Sequence, residues 1–539
     1  MSGNTSPAET TRVHKLNNND VNKAGTFVLY WMSNSLRSHY NYALAHASYL
    51  CEKYEMPLRV AHVFDAVAQD GKPLPERHAA FQLESLSDVQ KDMHERNVPF
   101  VVINGSHKAR DAVPALAEDA VAVVTDTSYL RKGRSDRHAV ATALPIPLYA
   151  VEADVVVPVQ TVSSKSEYAA RTIRPKITRA LKDYLVPMKN VELTNQTNCD
   201  LKRWVSSANP DLSLLTLEDL DESLKGMEGL DRGAPRVRFF KGGQEEAQKR
   251  LTTFLDEKLR EYGGGRNEPA KQLQSDLSPY LRSGNISPVD IALHTKAKAT
   301  KKASWKESEE SFLEELIVRR ELAVNACWFN ADAYDVYEQI VPNFARESLA
   351  LHKSDKRPKI FTYEELEAAV TEDPYWNAAQ LEMVVKGKMH GYMRMYWVKR
   401  IIGWVEDPAD AMDYAIRLNN RWELDAVDPN SYAGVIWCFG LHDRGWTERP
   451  IWGKVRYMNE SGLKRKFNMP AYIAYVDKMV ASEGLPRHIA ELRKKHKMGG
   501  QQQTIDGSRK RLRSRKATSS SSKSGLRGSE SKSVKRIKM

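Results

Sequence analysis

Tryptophan is the residue whose placement in this chain departs furthest from an even spread. Nine of the eleven lie between 305 and 452, at 305, 328, 376, 397, 404, 422, 437, 446 and 452. Packing of a helical core explains such a cluster without further chemistry, because indoles are large and usually buried. Three features point beyond packing. Trp397 and Trp404 are seven residues apart, hence on one helix face. Trp376 and Trp397 occupy adjoining segments, DPYWNAAQLEM and GKMHGYMRMYW. The second segment mixes methionines and aromatics with Lys388, His390 and Arg394, which is polar for a helix that should be buried. Close-packed indoles can carry electrons, and electron transfer needs a redox cofactor nearby. Further on, HDRGWTERPIWGKVRYM (442–458) sets Arg444, Trp446 and Arg456 on a loop with Gly445 and a proline. An exposed Trp there is hard to explain by packing, and arginines suit phosphates.

These residues need a scaffold, and the periodicity supplies one in two parts. Short apolar runs at 26–32 (TFVLYWM), 58–66, 99–105, 120–127 and 146–158 alternate with helical stretches near 39–54 and 76–96. That alternation predicts βαβ units and an α/β domain with a doubly wound parallel sheet. Neither GxGxxG nor a Walker loop follows the first run, so the usual nucleotide fingerprints are absent. From 240 to 485 the period is helical, as in 244–262, 310–328 and 410–422. Phe312, Leu316, Val318, Leu322, Ala323 and Ala326 form an apolar stripe in the second of these. The expected layout is a disordered 1–24, an α/β domain over 25–158, a polar connector over 159–235 with the basic stretch RTIRPKITRALK (171–182), an all-α domain over 236–485, and a disordered basic tail over 486–539.

Composition narrows the classes. The 539 residues carry 81 Lys+Arg and 69 Asp+Glu, a net +12, with 41% hydrophobic and 28% charged residues, an ordinary globular mixture. Residues 501–539 hold twelve Lys/Arg against Asp506 and Glu530, a net +10, which leaves only +2 on the other 500. The basic balance therefore describes a tail more than a body. No apolar run reaches the ~18 residues of a membrane span, and Met1–Asn22 lacks the apolar core of a secretory signal. Cys51, Cys199, Cys327 and Cys438 form no CxxC pair or zinc spacing, so a reducing compartment and no metal site are expected. The clusters RKRLRSRK (509–516) and KRIK (535–538) fit a nuclear address read by the import machinery, or a salt-sensitive phosphate-binding arm. The nucleus is the expected location, with cytoplasm or an organelle as alternatives.

Six blocks in order, EYAARTIRPKI (167–177), SDLSPYL (275–281), ESFLEELIVRRELA (310–323), DPYWNAAQLEM (373–383), GKMHGYMRMYW (387–397) and ERPIWGKVRYMN (448–459), make the chain resemble class II cyclobutane pyrimidine dimer photolyases from about 26 to 485. VLYWM (28–32) resembles the start of that family's first domain. The resemblance implies an N-terminal antenna-type α/β domain and a C-terminal helical domain that binds FAD and UV-damaged DNA. It implies a monomeric lyase in which photoexcited reduced FAD passes an electron to a flipped-out dimer. It further implies an antenna chromophore in the first domain, a deazaflavin being one option. A cryptochrome-like blue-light receptor without repair activity is the alternative reading, favoured by the long tail.

The same resemblance assigns roles. Tyr262 and the segment Ser275, Asp276, Leu277 and Ser278 would hold FAD, the latter at its phosphates, where a helix N-terminus suits an anion. Asn419 would face flavin N5 as an amide able to accept or donate, and an Arg394–Asp425 ion pair would sit beside the ring. Trp376 and Trp397 would form the photoreduction route, with Trp404 as a branch. Glu315, Met395 and Trp437 would meet the damaged bases, Glu315 as a desolvated carboxyl able to donate. Arg444, Trp446 and Arg456 match the loop that intrudes into the duplex. Departures from the family pattern are Arg282 and Ser283 in place of a His-Phe pair, and Arg319 where some relatives carry Trp.

Overall fold

The computed structural model describes residues 10–68, 71–104, 108–189, 191–193, 199–300 and 303–496. Within them the apolar runs of the first third become strands: β2 (Phe27–Trp31), β3 (Leu58–Val63), β4 (Phe100–Ile103), β5 (Ala120–Asp126) and β6 (Leu148–Val151). All pair in parallel, and a short β1 (Val13–Lys15) joins the edge antiparallel, giving the order β1-β6-β5-β2-β3-β4. Alternate residues of β2 serve opposite cores. Val28 and Tyr30 pack with the helices Tyr42–Tyr54 and Glu76–Glu95, while Phe27, Leu29 and Trp31 pack with Ala109–Leu116 and Arg131–Ala143. Burial on both faces is why the strands read as unbroken apolar runs. Each fully buried Val or Leu stabilises the fold by roughly 1.5–3 kcal/mol.

β1 corrects the expected disorder of 1–24. Arg12, just before it, is buried: its guanidinium donates to the carbonyls of Glu152, Val155 and Val156 and lies 4.0 Å over the Tyr42 ring. A three-residue edge strand flanked by a buried arginine leaves no hydrophobic signature. Residues 1–9 lie outside the described set.

The strand order reverses at β2, whose neighbours β3 and β5 are reached by crossovers in opposite directions. The crevice outside the strand ends at such a point is the general ligand position of open α/β sheets. Here it holds a cavity of about 620 Å³. Trp31, Asn34, His62 and Ser128 line it from the sheet side, and Arg282, Arg320 and Asp428 from the helical domain.

The connector is less irregular than its composition implies. It contains the helices Val159–Val162, Ala170–Tyr184, Leu201–Ala208 and Leu220–Gly226. Beyond it the chain is helical. Two of the expected long helices carry an inserted π turn, at Phe254–Lys258 and at Glu314–Arg319. Such bulges recur at functional sites. The start of the expected disordered tail is also structured: 487–496 is helical, Ile489 is buried, and Arg493 donates to the carbonyls of Ala368 and Ala369. The basic clusters at 509–516 and 535–538 fall outside the described residues. Among those described, no helix is long and apolar enough to cross a membrane.

Candidate functional site

The site is built on two helices held at right register by one aspartate. Asp373 caps Pro374–Lys386 by accepting from the N–H groups of Tyr375 and Trp376, both at 3.1 Å. Its other oxygen accepts from the Tyr396 hydroxyl and lies 3.0 Å from the Arg400 Nε in an ion pair, both from the helix Gly391–Trp404. An N-cap of this kind contributes about 1 kcal/mol, and here it also fixes one helix against the other. Gly387, at φ 81, ends the first helix in the left-handed region that a Cβ would disfavour. His390 caps the second helix by accepting from Tyr392 N–H. Burial, helped by Lys388 and Lys386, pushes its pKa down to about 3, so the ring stays neutral and can accept.

That clamp sets three buried indoles in contact. Trp376 stacks on Trp397 with centroids 6.0 Å apart and planes 7° apart, and meets Trp404 edge-on at 5.4 Å. The Trp376 indole N–H donates to the Trp397 carbonyl at 3.0 Å, and that of Trp397 to Gln380 at 2.9 Å. Trp376 therefore lies between the other two. Trp404, expected as a branch, is the third member of a series, and it is flanked by Phe361 and Arg400.

Arg394 faces inward from the same helix and is shared by two carboxylates, Asp425 and Glu423, each at 2.9 Å. Glu423 was not foreseen. Its side chain is wholly buried and accepts twice from Met389 N–H. Burial pushes its pKa up to about 8 despite Arg394. Burial also acts on Asp425, but Arg394, Lys388 and the Ser278 hydroxyl hold its carboxyl below the usual range. Burial disfavours the Arg394 charge, yet the two carboxylates more than offset this. Arg394 is thus held charged between two carboxyl groups, of which the surroundings favour ionisation at Asp425 and a proton at Glu423.

One turn before Glu423, Asn419 is 1% exposed, inside Pro408–Trp422. Asn419 and Asn420 are helix-interior residues, not caps. The Asn419 Oδ1 has no hydrogen-bond partner, and neither has the Arg394 Nε or the Asp276 Oδ1. Leaving a buried polar atom unpaired costs about 1–3 kcal/mol, so each of these three is a candidate contact for a bound group. Asp276 itself sits at φ 57, faces Lys258 at 3.6 Å and Lys388 at 3.7 Å, and is held low by Lys386, Lys388, Lys258 and Arg250 against its burial. The helix after it, Ser278–Arg282, is a single turn. The cationic character expected of a helix start there comes instead from these lysines.

On the outer side, the π turn carries Glu315. The desolvation expected for it is absent: the carboxylate is 40% exposed and takes a 2.9 Å bond from Arg266. Arg266 was missed, although it lies one turn after Tyr262 in the sequence, the spacing of helix neighbours. Tyr262 is buried against Phe254 and Phe312, and burial raises its hydroxyl pKa to about 12. Met395 and Trp437 are half-buried near the loop 442–458. Asp443 organises that loop, accepting from the Trp446 indole at 3.2 Å and from Arg456 Nε at 3.3 Å. Arg456 lies 5.0 Å over Trp437 and 4.4 Å over Trp446, and Arg444 lies 5.1 Å from Trp446. Trp446 is consequently half-buried between cations, not fully exposed as expected. Arg282, one of the departures, donates to the Ala426 carbonyl at 3.1 Å and lines the interdomain cavity.

A parallel-sheet domain followed by a helical domain is an architecture with known relatives. The family model for DNA photolyase matches residues 28–193. The chain is 42% identical over 468 residues to the deoxyribodipyrimidine photo-lyase of Methanothermobacter thermautotrophicus, covering 86% of this chain and 97% of the relative. It is 38% identical to that of Arabidopsis thaliana, covering 84% of this chain and 89% of the relative. The fold is shared with an archaeal photolyase from Sulfolobus tokodaii solved with two FAD molecules, at TM-score 0.62 and 16% identity, over 87% of this chain and 94% of that one. This chain belongs to the DNA photolyase family.

Proposed function

We propose that this protein is a lyase that splits cyclobutane pyrimidine dimers in DNA under light, using FAD held in the helical domain. The reading is supported by three buried polar atoms without a hydrogen-bond partner, Asn419 Oδ1, Arg394 Nε and Asp276 Oδ1, and by the contact series Trp397–Trp376–Trp404. The donor set fits FAD: an amide and a guanidinium for the ring system, and a cluster of lysines for the diphosphate. When bound, FAD supplies the light-driven one-electron chemistry that dimer splitting requires.

The chain's own residues do the rest. Asn419 offers an acceptor that no protein donor uses, and by rotating it offers N–H instead, so it suits a ring nitrogen in either protonation state. Arg394, tied to Asp425, places positive charge where an electron-rich ring gains from it. Trp397, Trp376 and Trp404 offer a route between the interior and the rim at Arg400. Glu315, Met395 and Trp437 border the space for a flipped-out dimer, Glu315 with Arg266 providing both an acceptor and donors. Arg444, Trp446 and Arg456 form the loop that takes the place of the extruded bases, a need shared by enzymes that flip nucleotides, photolyases being a stock example. A repair assay on dimer-containing DNA with and without illumination tests the reading. Repair in darkness, or none in light with a fully loaded protein, overturns it.

The cavity at the sheet's switch point supports an antenna chromophore of planar, deazaflavin type; an absorbance band from the purified protein that survives FAD removal tests this. A monomer is proposed, with sedimentation as its check. The clusters at 509–516 and 535–538 are proposed to direct the protein to the nucleus, so truncation at 500 should preserve repair and abolish nuclear accumulation.

A further inference from the structure

The folded body is nearly neutral, yet the helix Ala170–Tyr184 carries Arg171, Arg174, Lys176, Arg179 and Lys182 with no acid before Asp183. Two of these cations are used inside the protein. Arg174 makes a two-point pair with Glu314, at 2.7 and 3.0 Å, on the π turn that carries Glu315. Lys176 pairs with Glu167 at 2.5 Å. The other three differ. Arg171, Arg179 and Lys182 are exposed and, among the described residues, have no carboxylate partner. They share the solvent side of the helix, opposite the buried Ala170, Ile173 and Ile177. At 1.5 Å per residue they span roughly 16 Å.

The helix is fastened to the lesion side at its start as well as at Arg174. Tyr168, just before it, donates its hydroxyl to the Asp443 carbonyl at 3.1 Å, and its own carbonyl bonds the His442 ring at 2.9 Å. Asp443 is the residue that orders Arg444, Trp446 and Arg456. Tyr168 is nonetheless 53% exposed, so its ring faces solvent beside the loop. A row of unpaired cations thus begins at the loop and runs away from it along a rigid element. The helix bears none of the residues assigned to the cofactor, and apart from Lys182, whose place in the last turn suits the helix C-terminus, its unpaired cations face only solvent.

We propose that this helix is a phosphate-binding rail for duplex DNA flanking the lesion, with Tyr168 and Arg171 at its near end and Arg179 and Lys182 further along. The proposal rests on the reading of the protein as a DNA-repair enzyme and extends its interface from the helical domain onto the connector. Contacts of this kind set position and salt dependence without reading sequence.

The test compares wild type with an Arg171→Gln/Arg179→Gln/Lys182→Gln variant, and with Arg171→Gln alone, both checked for wild-type flavin absorbance. Dissociation constants are measured across a salt series on a lesion-bearing single strand of about six nucleotides and on a lesion-bearing duplex of about 30 base pairs. With each phosphate contact contributing about 0.9 to the slope of log K against log salt, the triple variant should lose about 2–3 from the slope on the duplex. The single variant should lose about 1. Affinity for the short strand should not change. Unchanged slopes on the duplex, or an equal loss on both substrates, overturn the proposal. Undamaged duplex gives the same comparison, so a wild-type protein that fails to repair would sink the functional reading while the rail is still judged.

Discussion

Trp376 lies parallel to Trp397, planes 7° apart, and donates its indole N–H to the backbone carbonyl of that same residue. The hydrogen bond and the stack lock one ring over the other. Trp376 is also the indole that touches Trp404, so it bridges Trp404 and Trp397. Trp376→Phe should slow photoreduction of the bound flavin at least about tenfold, equivalent to ~1.4 kcal/mol in barrier. Repair by chemically reduced enzyme should persist. Trp404→Phe should act in the same direction, because the two are in series. Photoreduction unchanged in Trp376→Phe would show that electrons enter elsewhere.

Asn419→Leu separates cofactor recognition from folding. Its carbonyl oxygen is buried without a partner, and its amide makes only a 3.4 Å bond to Asn420. Replacing an unpaired buried acceptor by an apolar group of similar shape is close to neutral. The cofactor-free variant should therefore unfold within about 0.5 kcal/mol of wild type in urea. The loaded variant should lose reduced flavin to air much faster. A large loss of stability in the cofactor-free form would mean that Asn419 has a protein partner after all.

The ease of reading different parts of the chain from sequence follows from what each part buries. β2 and β5 are covered on both faces, so their residues had to be apolar and their runs were plain. β1 is a three-residue edge whose neighbour Arg12 is buried by carbonyls, and nothing in a hydropathy pattern reports that. The stripe through Phe312, Leu316 and Val318 was visible, but Ile317 is buried too, because the π turn is packed on more than one side. Seven-residue spacing placed Trp397 and Trp404 on one face. It could not show that their contact runs through Trp376, which comes from another helix. Glu423 stands just past a helix end, where a carboxylate is normally solvated, and only the return of the chain past Arg394 reveals its burial. The exposure of Glu315 is set by Arg266 and the π turn, neither of which the charged run EELIVRRE announces.

Glu423 has a consequence for pH. Its folded pKa is raised to about 8 from 4.5, so the native state keeps a proton that the unfolded chain releases. The stability this contributes is complete below about pH 4.5 and is lost as pH rises towards about 8. Glu423→Gln fixes a neutral side chain of the same shape. It should flatten the fall of unfolding free energy between about pH 5 and 8, measured by urea titration. A residual slope should remain from Glu321, whose burial raises its pKa to about 7. An identical slope in the variant and wild type would mean that Glu423 is ionised in the native state.

Gly403 connects the indole helix to the segment 442–458. A Cβ there would fall 2.6 Å from the Trp452 ring, a rigid group that cannot fold aside. Trp452 is in turn fastened by its indole N–H to the Lys399 carbonyl at 3.2 Å and by edge contact with Tyr457 at 4.7 Å. Lys399, fully buried, donates its ammonium to the Cys438 carbonyl at the end of the helix that carries Trp437. Gly403→Ala should therefore push Trp452 outward and shift the segment 442–458 as a unit, with an overpacking cost of about 1–3 kcal/mol. Affinity for dimer-containing DNA should fall, whereas flavin absorbance and photoreduction should hold, because the Trp376–Trp397 pair is anchored separately through Asp373 and Gln380. If DNA affinity is untouched while stability drops, Trp452 packs the core without positioning the loop, and the role of Arg444, Trp446 and Arg456 as one rigid unit fails with it.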